Sequence, residues 1–232
     1  MLKKIIVFCT LIVCAVFSAQ AELKVDIVAG GVKPISIAVQ KFEMGPGVVA
    51  KDADTVRAVV ENDLKTTGLF HIVSHNALPE HVKMNEMPNF KLWNAIKAQV
   101  LVQAKMVMVN KNQYKVDFYV WDVDGKEQIE AQSLVASKKS VRRLGHIMAD
   151  AIYERLTGEV GYFDTQIVFI AETGPVTNRI KRMAIMDQDG YGLRYLSDEK
   201  TFVMSPHFSP NMDAIVFLSI MIIMMFLVLA FS

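Results

Sequence analysis

The sequence predicts an α/β domain with a mixed sheet and helices, followed by an incomplete β-propeller blade and a hydrophobic C-terminal tail. Three observations lead to that class. Between residues 22 and 158, apolar residues at helical spacing alternate with period-2 and β-branched runs, the grammar of strands and helices sharing one sheet. After Gly161 the helical spacing stops, and short strand-like runs follow one another with only turn residues between them, which is propeller-style sequence. From Ala214 to the C-terminus no charged residue occurs.

The elements follow in order. Leu23, Val25 and Ile27 alternate with Lys24 and Asp26 and predict a first strand that Gly30 and Gly31 break. Pro34 opens a second, β-branched strand over 35–42, and Met44-Gly45-Pro46-Gly47 is the loop after it. Val56, Val59, Val60 and Leu64 predict an amphipathic helix over 51–67, with Asp52 or Asp54 as N-cap and Gly68 as its stop. A short strand over 69–73 follows. After a polar connection with Pro79 and Pro88 comes a helix over 90–97, pinned by Trp93 and Ile96.

Three strands are expected over 99–109, 113–123 and 128–138. Asn110-Lys111-Asn112 and Asp122-Val123-Asp124-Gly125 join them, and connections that short force antiparallel neighbours. A closing helix over 141–156 lines up Leu144, Ile147, Met148, Ala151, Ile152 and Leu156, and Gly158 ends it. These elements make a domain over 22–158, large enough to bury a core unaided. Strands at 165–171, 180–187, 193–196 and 214–218 make the partial blade over 162–219.

The first 21 residues have a basic start at Lys3 and Lys4, an apolar run, and Ala19 and Ala21 flanking Gln20, the pattern of a secretory signal cleaved after Ala21. The run from 214 to 231 has Ser219 as its single polar residue and reaches the minimum length of a transmembrane helix. Because it continues a blade strand with no linker, the sequence favours a truncated or frameshifted tail over a membrane anchor.

Composition excludes several functions. Formal net charge is +1, and removing Lys3 and Lys4 leaves 23 basic against 24 acidic residues, no footprint for a nucleic-acid binder. The two cysteines, Cys9 and Cys14, both lie in the leader, so the exported chain has no disulfide, thiol nucleophile or cysteine-bound metal. His71, His75 and His81 fall on a strand and a loop, a poor geometry for metal. Asp122 to Gly125 and Asp187 to Gly190 lack the further acidic ligands of a calcium loop and read as turns. With no nucleophile elbow, phosphate loop or dinucleotide fingerprint, no cofactor, metal or catalytic residue is expected.

Arg155-Leu156-Thr157-Gly158, Gly161-Tyr162-Phe163-Asp164-Thr165 and Ala184-Ile185-Met186-Asp187-Gln188-Asp189-Gly190 resemble the TolB family in order and spacing. So do Arg194-Tyr195-Leu196-Ser197-Asp198 and Ser205-Pro206-His207-Phe208-Ser209-Pro210. Asn211-Met212 stands where the family usually has Asp-Gly. The resemblance implies a non-enzymatic periplasmic component of the Tol-Pal envelope system of a Gram-negative bacterium, involved in protein transport, cell division and outer-membrane integrity. It implies that the N-terminal segment Glu22, Leu23, Lys24, Val25, Asp26, Ile27 and Val28 engages a TolA-like inner-membrane protein, by adding a strand to its sheet. Pal binding, which belongs to a propeller mostly missing here, is expected to be lost. Two other readings stay open: a periplasmic binding protein anchored in the inner membrane by the tail, and an accessory domain of a hydrolase.

Overall fold

The computed structural model describes residues 27–28, 31–79, 81–84 and 86–220. The signal segment with Ala19 and Ala21, and Glu22, Leu23, Lys24, Val25 and Asp26 of the expected partner-binding strand, lie outside those residues. The chain divides at Lys33 into a short N-terminal unit and a large one beginning at Pro34.

In the first unit β1 (Ile27–Val28) pairs antiparallel with β2 (Gly31–Val32). Ile27 lies opposite Val32 and Val28 opposite Gly31. Gly31, expected to end the strand, instead opens the return strand of a hairpin.

The large unit is built on a six-stranded mixed sheet in the order β5-β3-β6-β7-β8, with β4 also pairing β6. Its parallel half comprises β3 (Ile35–Val39), β5 (Phe70–Ile72), β6 (Val100–Asn110) and the two-residue β4 (Glu43–Met44). The strand predicted over 35–42 therefore stops at Val39 and touches β6 again at Glu43. β7 (Gln113–Asp122) and β8 (Glu127–Ser137) complete the sheet as the expected antiparallel meander. Ile37, Ala38 and Val39 are all fully buried, so β3 is covered on both faces.

Helix α1 (Ala50–Thr66) is the crossover between the parallel strands β3 and β5. It buries Ala53, Val56, Val59, Val60 and Leu64, each apolar side chain of valine or leucine size worth about 1.5–3 kcal/mol. Its N-cap is Val49, without a side-chain cap. The predicted cap Asp52 sits inside the first turn, where its carboxylate accepts the Tyr114 hydroxyl at 2.8 Å. That bond puts Tyr114, and with it Val116, Phe118 and Val120 at the same parity of β7, on the helix side of the sheet.

Helix α2 (Phe90–Ala95) is shorter than predicted. It covers the opposite face, where Phe90 and Trp93 pack with Ala38, Leu101 and Trp121. Ile96, expected as a second anchor, is only partly buried there.

Helix α3 (Val141–Thr157) packs against α1, β7 and β8. Gly158 ends it in the left-handed conformation, φ 76°, donating its N–H to the Glu154 carbonyl at 2.8 Å. Its buried face is rotated from the predicted stripe: Gly145, His146, Ala149 and Tyr153 are buried, while Ile147 and Ala151 are only partly covered.

Beyond α3, β9 (Gln166–Thr173), β10 (Ile180–Asp187) and β11 (Arg194–Tyr195) form an antiparallel three-stranded sheet. β12 (Phe202–Phe208) and β13 (Ile215–Ile220) form a separate pair, interrupted by a bulge between Met204 and His207 where Ser205 takes φ 50°. Both described sheets are open. The blade strand expected over 214–218 is β13, paired with β12, and it takes up the first residues of the apolar run over 214–231. Residues 221–232 lie outside the described part, and among the described residues no helix is long and apolar enough to cross a membrane.

Candidate functional site

The N-terminal half of α3 meets the turn after β10, and the polar groups of the large unit concentrate there. His146 is buried on α3, and its Nδ1 lies 2.7 Å from Oδ2 of Asp63 on α1. Asp63 is fully buried. Its second oxygen accepts the Gln188 amide at 3.1 Å from the turn after β10, so one carboxylate joins both helices and the strand region. A buried charge is tolerable only when partnered in this way.

The turn supplies the rest. Gly190 takes φ 85°, and its N–H returns to the Asp187 carbonyl at 2.9 Å. Asp189 accepts the Tyr191 N–H at 3.0 Å and pairs with Arg142, one helical turn before His146. The Arg142 guanidinium lies 4.0 Å over the Tyr191 ring, a cation–π contact that fixes its direction. Next to it Arg143 holds both oxygens of Asp164, at 3.0 and 3.0 Å.

Further along α3, Asp150 accepts the backbone N–H of Phe163 at 2.7 Å and of Asp164 at 3.0 Å. This seats Phe163 edge-on against Tyr153, with ring centroids 5.7 Å apart. Gly161 has no room for a side chain: a β-carbon would stand 2.3 Å from Asp150 Oδ1. The segment Gly161 to Asp164, noticed in the sequence as a motif, is the strap that joins the two regions.

Burial alone would push the His146 imidazolium to a lower pKa. The hydrogen bond and charge of Asp63, with the charge of Asp189, outweigh burial and the opposing charge of Arg142, and hold it above its ordinary value. Burial likewise raises the Asp150 carboxyl, against the two backbone N–H groups that favour its charged form. A cavity of about 570 Å³ opens beside these groups, lined by Arg142, Arg143, His146, Asp187, Tyr191 and Phe208 among others. His146 Nε2 is buried and has no hydrogen-bond partner among the described residues. Donor atoms of His146, Asp187 and Asp189 lie within 4.8 Å of one another.

Of the residues singled out in the sequence for partner binding, Ile27 and Val28 are described, and both lie in the hairpin with one edge of β1 unpaired among the described residues. Of the histidines set aside as non-ligands, His75 pairs with Glu61 at 2.7 Å and His81 lies 3.9 Å from Glu43. Asp122 spends one oxygen on the N–H groups of Asp124 and Gly125, both at 2.9 Å, as a turn residue does. Sequence reasoning missed Asp63 and His146. Nothing local marks them, because the pair is made across 83 residues.

Two family models match the chain: the TolB amino-terminal domain over residues 23–129 and the TolB beta propeller domain over residues 153–222. The Tol-Pal system protein TolB of Paramagnetospirillum magneticum is 44% identical over 218 residues, covering 92% of this chain and 48% of that protein. The Tol-Pal system protein TolB of Pelagibacter ubique is 40% identical over 211 residues, covering 87% of this chain and 47% of that protein. The chain thus spans about half the length of these curated relatives. Among solved structures, TolB from Acinetobacter baumannii superposes with a TM-score of 0.67 at 23% identity over 80% of this chain and 44% of that one, which shows the shared fold.

Proposed function

Because the chain belongs to the TolB family, carrying its amino-terminal domain and propeller-type strands, we propose that it is a non-enzymatic, periplasmic component of a Tol-Pal system that works by binding protein partners. The segment Glu22 to Val28 is the partner-binding element, and a TolA-like inner-membrane protein is its target. The domain over 22–158 is the body that presents it, exported by the leader that ends at Ala21. The observation that carries this reading is the β1–β2 hairpin: Ile27 and Val28 are strand, and one edge of β1 has no partner among the described residues. A strand edge of that kind is completed by pairing with another chain. The contribution to envelope integrity, protein import and cell division follows from that role.

The test is capture of the periplasmic C-terminal domain of TolA by the mature chain, compared with a chain lacking residues 22–28. Capture that depends on those residues supports the proposal; equal capture by both chains, or none by a chain with native far-UV circular dichroism, overturns it.

A further inference from the structure

We propose that the junction between α3 and the turn after β10 is a divalent metal site, with His146, Asp187 and Asp189 as ligands and a first-row transition ion such as Zn²⁺ as occupant. The sequence reading expected no metal there, because Asp187 and Asp189 alone read as turn residues. The fold changes this by bringing a buried imidazole from α3 against them, with all three donor groups within 4.8 Å.

Four features point to a cation. His146 Nε2 is buried and unpartnered, with its side chain only 4% exposed, and the residue lines the cavity that Asp187 also borders. Its other nitrogen is held by Asp63 at 2.7 Å, the carboxylate–imidazole pairing that orients metal-ligating histidines and raises their basicity. Once the imidazole is deprotonated, as ligation requires, Asp63, Asp187 and Asp189 against Arg142 leave two negative charges, which a divalent ion cancels. Finally, imidazole with two carboxylates suits Zn²⁺ and its neighbours, leaving a position open toward the cavity.

Two adjustments accompany binding. Bonds of about 2.1 Å in a tetrahedral site place donors about 3.4 Å apart, so the three side chains close by about an ångström. Asp189 keeps Arg142 and the Tyr191 N–H as partners, since a carboxylate has about four lone-pair sites. Arg142 then becomes an outer partner of the site, as its stacking on Tyr191 already allows. The incoming ion displaces any proton from His146, so binding strengthens as pH rises.

The experiment is calorimetric titration of the EDTA-treated, dialysed chain with ZnCl₂, followed by Co²⁺ absorption spectroscopy. One ion per chain is expected, with affinity falling at least tenfold in Asp187→Asn and in His146→Gln. Asp187→Asn leaves the Asp63–His146 pair intact and guards against a folding defect. His75→Gln, which removes the surface pair with Glu61, should leave binding unchanged. Absence of binding by the folded chain, or retention of full affinity in either junction variant, overturns the proposal.

Discussion

Gly145 of α3 faces Val59 of α1 so closely that an added β-carbon would stand 2.7 Å from the valine Cβ and 2.9 Å from the Val56 carbonyl oxygen. The two helices can therefore cross at this depth only with a hydrogen at position 145. Alanine would normally gain up to about 1 kcal/mol over glycine inside a helix, but the obstacle here includes backbone that cannot swing aside.

Gly145→Ala is therefore expected to destabilise the chain, by about 1–3 kcal/mol, and Gly145→Val by more. Urea unfolding followed by circular dichroism measures both. An alanine variant as stable as the parent would mean that α1 and α3 slide apart without cost.

The Asp63–His146 pair makes stability depend on pH. His146 has a folded pKa above its unfolded value of about 6.5. Its contribution is fully present below that unfolded value and is lost as pH rises through the folded one. Asp63 on α1, Arg142 on its own helix, Asp187 at the end of β10 and Asp189 on the turn after it are the charged groups around it. In EDTA, the urea midpoint is expected to fall as pH rises above the unfolded value of about 6.5, and His146→Gln should flatten that fall.

Asp150→Ala removes the acceptor of two backbone N–H groups at Phe163 and Asp164. Leaving buried donors unpaired costs about 1–3 kcal/mol each, and the strap from Gly161 to Asp164 loses its anchor. Hydrogen exchange read by mass spectrometry should show the amides of 162–165 losing protection before those of β6 and β7.

Gln103→Leu tests the opposite face of the sheet, where the Gln103 carbonyl accepts the Trp121 indole N–H at 2.7 Å. The substitution strands that donor in a buried place, for an expected loss of about 1–3 kcal/mol. Near-ultraviolet circular dichroism of the tryptophans should change with it.

Much of this architecture is legible in the sequence, because most of its elements are local. The stripe at Val56, Val59, Val60 and Leu64 is enough to place α1, and the turn residues at 110–112 and 122–125 are enough to make β6, β7 and β8 a meander. Beyond shifts of element boundaries, the failures are non-local. Asp52 was a reasonable cap by type, yet Tyr114, 62 residues away, takes its carboxylate. The blade strand expected over 214–218 is present as Ile215–Ile220, but its pairing with Phe202–Phe208 is not legible from period and length. The junction was invisible for the same reason: a polar residue inside a helix declares its role only through the segment that arrives against it.

Asp63 also constrains the order in which the molecule is made. Its two oxygens are satisfied by His146 and by Gln188, the latter 125 residues further along the chain. Until the turn after β10 has docked, the oxygen that Gln188 satisfies lacks that partner. Closing so long a loop is slow, so the final docking is a late step that completes the core of the earlier domain.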